Sequence, residues 1–258
     1  MEFNTLVQTI RDRTGPDDQL VIALSGGVDS GLVAAAAQAA WAGGAHDRPP
    51  VAVTVRSELT ARTDFERAEA VARHIGIKQV VITARMLDHD QVRRNGPDRC
   101  YHCKLALFDR VRERWGDDCV IADGTNHDDD PARPGLRAVR EHGVFQPLKD
   151  LAIPKEGVRL LARAAGLPNW DAPSESCLAT RLGQGTILTR ERLAKVEHLE
   201  AFWRGRGVRA LRVRHDDMVA TVEYSAQYAG IMKQEGDLFS VVIRSVGLEA
   251  VRYKEWGA

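Results

Sequence analysis

Neither sign of charge is in excess in this chain: 36 lysines and arginines stand against 36 aspartates and glutamates. Such a balance creates no global field to draw the protein onto nucleic acid or an anionic membrane. Long hydrophobic runs are also missing, and the longest apolar stretches fall far short of the ~20 residues that a membrane span requires. The opening segment MEFNTLVQTIRDRTG mixes acids with bases and has no apolar centre, so it does not read as a secretory signal. Cysteine is scarce, with 4 in 258 residues. That is too few for a disulfide framework, and a reduced, cytoplasmic setting is the expectation. Internal repeats and low-complexity tracts are absent from the sequence. What remains, 44% hydrophobic and 28% charged, fits a soluble globular enzyme with one large domain or one domain plus a smaller one.

The first two thirds alternate strand-like and helix-like segments. Strands are expected at Gln19–Leu24, Val51–Val55, Gln79–Thr83 and Cys119–Ala122, and helices at Asn4–Arg13, Ser30–Ala42, Arg62–Ile75, Cys103–Trp115 and Lys155–Ala165. The strand segments are continuous apolar runs, as expected when both faces of a parallel sheet are covered. This is the pattern of an α/β doubly wound sheet, whose ligands bind at the carboxyl ends of the strands. Ser25, Thr54, Thr83 and Asp123 fall there. The stretch Asp123–Leu148 is too rich in Asp, Pro, Arg and Gly for a core and reads as a long functional loop. The pattern breaks into Pro, Gly, Ser and Asn around Gly166–Gly185, which places a boundary between domains 1–172 and 173–258. Beyond it a smaller α+β domain is expected: a helix over Thr189–Arg204 capped by Thr189, strands at Ala210–Arg214 and Val219–Tyr224, then a helix Ala226–Glu235 and a strand Leu238–Ile243.

Ser25-Gly26-Gly27-Val28-Asp29-Ser30 directly follows the first apolar run and precedes a small-residue helix. Two glycines let the backbone bend and bring N–H groups close to a phosphate, and the helix start adds the positive end of its dipole. The Walker pattern is missing because the loop holds no lysine, and the Rossmann glycine spacing is missing too. The Ser25 and Ser30 hydroxyls can donate to phosphate oxygens. Asp29, an acceptor when ionised, suits Mg²⁺ or a ribose or amide contact better than bare phosphate.

Cys177 lies in Pro173-Ser174-Glu175-Ser176-Cys177-Leu178-Ala179-Thr180-Arg181. Polar flanks argue for a reactive thiol over a small buried hydrophobe, and Arg181 would favour the thiolate if the segment were helical. Cys100 and Cys103 form a CxxC pair. That spacing fits a redox pair, half a zinc site, part of an iron–sulfur site, or two cysteines packed at a helix start. With Cys177 they make three thiolates able to hold a cluster with one open iron, whereas Cys119 reads as core. Arg212 and Arg214 share one strand face by their period-two spacing, which suits a phosphate or carboxylate or else a solvated face. Glu200 and Glu223 stand ready to offset them or to bind a metal.

Taken together, these segments resemble the LarE family, ATP-dependent sacrificial sulfur transferases of the PP-loop ATP pyrophosphatase superfamily. The matching segments are SGGVDS, RCYHCK (99–104), DGTNHDDDPARPGLRAVREHGVFQPL (123–148), GLPNWDAPSESCLATR (166–181), TRERL (189–193) and LRVRHDDMVATVEY (211–224), in the family's order. The resemblance implies a PP-loop domain that binds ATP with Mg²⁺ through Ser25, Gly26, Gly27, Val28, Asp29 and Ser30, with Thr54 and Gly124 beside them. It implies Cys177 as sulfur donor, and Thr180, Arg181, Glu200, Arg212, Arg214 and Glu223 around a small carboxylated pyridinium mononucleotide on the way to a nickel-pincer cofactor. A homo-oligomer, possible up to a hexamer in this family, is implied as well, with neither nucleic acid nor membrane as partner. Thr180 stands where the family usually has Ser, and Arg181-Leu182-Gly183-Gln184-Gly185-Thr186 lacks the family's Pro and following aromatic. Two alternatives stay open: a [4Fe-4S]-dependent transferase using Cys100, Cys103 and Cys177, and a PP-loop paralogue thiolating or amidating another substrate. Neither a glutaminase domain nor an RNA-binding module is evident in the chain.

Overall fold

The four apolar runs become four parallel strands: β1 (Leu20–Ala23), β2 (Val51–Arg56), β3 (Lys78–Thr83) and β4 (Val120–Ala122), in the order β3-β2-β1-β4. The computed structural model describes residues 2–42, 44 and 48–256. They divide into two units, Met1–Arg85 with Asp98–Ser174 and Met86–Pro97 with Glu175–Ala258.

The helices of the chain up to Ser174 are α1 (Phe3–Arg13), α2 (Val28–Ala42), α3 (Arg62–Ile75), α4 (Asp90–Arg93), α5 (Arg99–Trp115), α6 (Gly135–Glu141), α7 (Pro147–Asp150) and α8 (Lys155–Ala164). All but α4 belong to the first unit. Alternate strand residues feed two separate cores. Leu20, Ile22, Leu24 and Ala52 join Leu6, Ile10, Leu32, Val158 and Leu161 of α1, α2 and α8. Val21, Val51, Val53 and Ile121 join Phe108, Val111, Leu136 and Val139 of α5 and α6. Both faces of the sheet are therefore covered, which is the doubly wound arrangement the continuous apolar runs require. In α2, Ala34, Ala36, Ala37 and Ala40 are wholly buried, and their small side chains suit a helix that is apolar nearly all round.

Two local departures from the sequence reading bear on the site. Helix α5 starts at Arg99, four positions before the expected start, so Cys100 and Cys103 both lie on it. Within the expected loop Asp123–Leu148, α6 forms on the short apolar stripe Leu136, Ala138, Val139. Phe145 also pairs in parallel with Ala122, its N–H donating to Ile121 O at 2.8 Å while its carbonyl accepts from Asp123 N at 3.0 Å. The segment thus returns to the edge of β4 and fixes Asp123.

In the second unit, β5 (Leu211–His215), β6 (Val219–Ser225) and β7 (Ala250–Trp256) form a three-stranded sheet, antiparallel between β5 and β6 and parallel between β6 and β7. Helices α9 (Arg190–Arg204) and α10 (Ala229–Ser245) supply Leu199, Trp203, Met232, Phe239 and Ile243 to its core, with the Trp203 ring 4.8 Å from that of Phe239. The expected strand Leu238–Ile243 is the second half of α10. Its β-branched residues favour a strand locally, but Met232, Phe239 and Ile243 recur at helical spacing on one buried face. A parallel step from β6 to β7 also needs a crossover, usually helical. Residues 86–97, which a contiguous 1–172 domain would include, go with the second unit. There Asn95 Nδ2 donates to Gly183 O at 2.9 Å, and Gly185 N donates to Asn95 O at 2.9 Å.

Thr189 caps α9 as expected, its hydroxyl accepting from Arg192 N at 3.2 Å. Thr189→Ala should lower unfolding stability by about 1 kcal/mol, with Thr189→Ser near neutral, as read from urea denaturation midpoints. Among the described residues no helix is long and apolar enough to cross a membrane.

Candidate active site

The turn after β1 is built for close approach. Gly26 has φ +84°, and a Cβ there would overlap the Asp64 carbonyl, so only glycine fits. The Gly26 carbonyl accepts from Asn169 Nδ2 at 3.0 Å, and Asn169 is buried. Ser30 Oγ accepts from Ser25 N at 3.1 Å and donates to Gly27 O at 3.2 Å, and the two serine hydroxyls lie 3.1 Å apart. These hydroxyls shape the loop, while α2 begins at Val28 and turns its first-turn N–H groups and positive dipole end toward the cradle. Gly124 borders the same turn: a Cβ on it would sit 2.5 Å from Ser30 N and 2.8 Å from the Asp29 carbonyl carbon. Thr54, also at a strand end, is buried with its hydroxyl donating to Leu24 O at 2.9 Å and accepting from Gln79 Nε2 at 2.8 Å, so it ties β2 to the start of the loop.

Charged groups surround this cradle in two ion pairs. Asp29 accepts from Asn126 Nδ2 at 2.9 Å and pairs with Lys155 Nζ. Asp123 pairs with Lys104 Nζ at 2.9 Å and accepts from Thr125 N at 3.0 Å. The arrangement fits a polyphosphate and a hard cation. Gly26 and Gly124 keep Cβ atoms away, the two ammonium groups offer positive charge, and Asp29 and Asp123 carry the carboxylate oxygens that Mg²⁺ prefers. Sequence reasoning missed Lys104, Asn126, Lys155 and Asn169 as members of this group. Lys104 directly follows the CxxC pair and Lys155 opens α8, but nothing in local sequence aims either at the loop.

The second unit holds the thiol. Cys177 is half-buried and precedes a single 3₁₀ turn, Leu178–Arg181. Its carbonyl accepts from Thr180 N at 3.0 Å and from Thr180 Oγ1 at 2.8 Å, so threonine supplies the hydroxyl that a serine would. Arg181 is 1% exposed. Its Nη1 donates to Ser176 O at 2.6 Å, and its Nε donates to Glu200 Oε1 at 2.8 Å. The guanidinium therefore fixes backbone carbonyls, Cys177 O among them at 3.4 Å, and it does so from a single 3₁₀ turn in place of the α-helical turn on which its expected support of the thiolate depended. Burial alone would weaken its protonation, but the Glu200 and Glu175 carboxylates outweigh this and hold it above the ordinary arginine value. Glu200 is likewise buried, accepting from Val213 N at 3.1 Å and so anchoring β5.

Arg212 and Arg214 stand on one face of β5, Arg212 opposite Glu223 of β6. Arg214 donates to Glu223 Oε2 at 2.9 Å and to Thr180 O at 2.5 Å. Arg212 lies with its Cζ 5.3 Å from the Trp256 ring centroid. Its pKa is pushed down, first by burial and then by the neighbouring Arg181 and Arg214 charges. An added anion would relieve that strain, so this face is suited to a phosphate or carboxylate.

The remaining cysteines separate clearly. Burial pushes the Cys119 thiol up, in keeping with a core residue. Cys100 is exposed on α5 with Arg99 Nη2 3.3 Å from its Sγ, and Cys103 is half-buried one turn on. Among the described residues, no group of three or more His, Cys, Asp or Glu side chains is gathered to hold a metal ion.

Comparison with known proteins matches residues 4–108 to the asparagine synthase family. An uncharacterised protein of Synechocystis is 35% identical over 221 residues, spanning 84% of this chain and 80% of that protein. The pyridinium-3,5-bisthiocarboxylic acid mononucleotide synthase of Lactiplantibacillus plantarum is 29% identical over 251 residues, spanning 96% of this chain and 88% of that enzyme. An uncharacterised protein of Methanocaldococcus jannaschii is 32% identical over 168 residues, spanning 64% of this chain and 66% of that protein.

Proposed function

Since the chain belongs to the LarE family of PP-loop enzymes, we propose that it is an ATP-dependent sulfur transferase that activates a carboxylate at the Ser25–Ser30 loop and sulfurates it with Cys177. The observation that carries the reading is that Arg214 donates to Thr180 O at 2.5 Å, which sets the Arg212/Arg214 face against the turn that directly follows the half-buried Cys177.

A carboxylate is a poor electrophile. Attack of one of its oxygens on the α-phosphorus of ATP gives an acyl adenylate and releases pyrophosphate. Loop N–H groups, Lys104 and Lys155 are the groups of this chain that would stabilise the charge on the departing phosphates. Mg²⁺, when bound, would neutralise phosphate charge, with Asp29 and Asp123 its candidate ligands. Arg212 and Arg214 would hold the phosphate of a mononucleotide substrate by paired guanidinium contacts. The Cys177 thiolate then attacks the acyl carbon, AMP leaves, and a thioester forms. Loss of the Cys177 Cα proton and cleavage of its Cβ–S bond release a thiocarboxylate and leave dehydroalanine, so each chain turns over once. The name of the Lactiplantibacillus relative points to a carboxylated pyridinium mononucleotide as the substrate class.

Incubation with ATP, Mg²⁺ and that mononucleotide should lower the intact protein mass by one H₂S, localised by peptide mapping to Cys177. Product formation with the protein mass unchanged would overturn the sacrificial route.

A further inference from the structure

We propose that Glu175 and Arg204 are positioning residues for the sulfur-transfer step: with Glu200 they hold Arg181 where its guanidinium fixes the backbone that carries Cys177. The inference rests on Cys177 being the sulfur donor.

Glu175 precedes Cys177 by two residues, and its two carboxylate oxygens are divided between two arginines. Oε2 accepts from Arg181 Nη2 at 3.0 Å and Oε1 accepts from Arg204 Nη2 at 3.0 Å. Arg204, at the end of α9, also donates to Glu200 Oε2 at 3.1 Å, and Glu200 accepts from Arg181 Nε at 2.8 Å. These contacts close a ring of two guanidinium groups and two carboxylates. Their side chains are 1% (Arg181), 10% (Glu175), 3% (Glu200) and 16% (Arg204) exposed.

Arg181 Nη1 faces out of this ring and onto the thiol-bearing segment. It donates to Ser176 O at 2.6 Å, Ser176 Oγ at 2.8 Å, Thr180 Oγ1 at 3.1 Å and Cys177 O at 3.4 Å. An arginine this buried keeps one orientation only while its counter-charges are present. Glu175 and Arg204 therefore set the placement of the Cys177 backbone through Arg181. The ring contains two positive and two negative groups, so it adds no net charge to an incoming anion. Its contribution is geometric, and Arg212 and Arg214 remain the anion-facing pair. Thiol attack on an acyl carbon is sensitive to placement, and a displacement of about 1 Å can cost on the order of 10²-fold in rate.

Glu175→Gln in the full-length protein keeps the shape and removes the charge. Pyrophosphate released in the first turnover should stay within about twofold of wild type, because the phosphate loop belongs to the other unit. Single-turnover thiocarboxylate formation should fall at least about tenfold, and iodoacetamide labelling of Cys177 should change in rate while that of Cys100 does not. Arg204→Met should behave in the same way and Arg204→Lys should recover most of the transfer rate. Wild-type transfer in both Glu175→Gln and Arg204→Met overturns the proposal, as does an equal fall of pyrophosphate release and transfer with a lowered melting temperature. If Glu175→Gln does not fold, Glu175→Asp serves, with the same two outcomes. Cys177→Ala separates the two readings: transfer surviving in that variant removes the donor assignment itself, whereas loss of transfer there with a wild-type rate in Glu175→Gln removes only the positioning role.

Discussion

Cys177→Ala is expected to release pyrophosphate from ATP and to form no thiocarboxylate. In the proposed mechanism the two half-reactions draw on groups that belong to different units. The loop of Gly26, Gly27 and Asp29, with Lys104 and Lys155, lies in the first unit, and the thiol lies in the second. Removing one sulfur atom changes nothing in the cradle, so one equivalent of pyrophosphate per chain should still appear and acyl adenylate should accumulate. Transfer should be abolished, since the sulfur atom to be transferred is itself absent. Rapid-quench assays that follow pyrophosphate and thiocarboxylate together check both halves. Cys119→Ala is the matching control, because that thiol is buried and its pKa is pushed up by burial. Wild-type thiocarboxylate yield from Cys177→Ala would move the sulfur source to another group.

How much of this was legible in the sequence follows from how local each signal is. The sheet was legible because each strand is a short continuous apolar run, and Arg62–Ile75 formed at its expected bounds because a periodic apolar face ends at Gly76, whose φ is +71°. The strand β7 was not legible. Ala250–Trp256 is mostly exposed and owes its pairing to β6, which lies far back in the chain. At the candidate site, residue types at fixed spacing singled out the Ser25–Ser30 turn, Cys177 and the Arg212/Arg214 face as candidate groups. The direction in which Arg181 points was not available from sequence, because its partners Glu175 and Glu200, which Arg204 bridges, meet only after α9 has folded back. Lys155 reaches Asp29 across 126 positions of sequence and Asn169 reaches Gly26 across 143, separations at which no periodicity carries information.

Gly124→Ala should weaken ATP binding strongly, although Gly124 lies outside the phosphate-loop motif. Its added methyl would meet Ser30 N at 2.5 Å, the Asp29 carbonyl carbon at 2.8 Å and Ser30 Cα at 2.9 Å. All three are backbone atoms, so no side-chain rotation relieves the overlap, and the first turn of α2 must move away from the end of β4. That movement strains the Asn126–Asp29 hydrogen bond of 2.9 Å and displaces the N–H groups meant for phosphate. Overpacking of this kind costs about 1–3 kcal/mol. If most of it falls on the nucleotide-bound form, ATP affinity drops by roughly 10- to 100-fold. Isothermal titration of the full-length protein with ATP and Mg²⁺ measures this directly. Gly96→Ala is the control for the substitution itself, since a Cβ at Gly96 meets nothing within 4 Å. The rate of Cys177 alkylation should be unchanged in Gly124→Ala, because the thiol-bearing segment belongs to the other unit. Undiminished ATP affinity in Gly124→Ala would mean that nucleotide binds without the close approach of the β4 end to the loop, and the cradle would then have to be sought elsewhere along the strand ends.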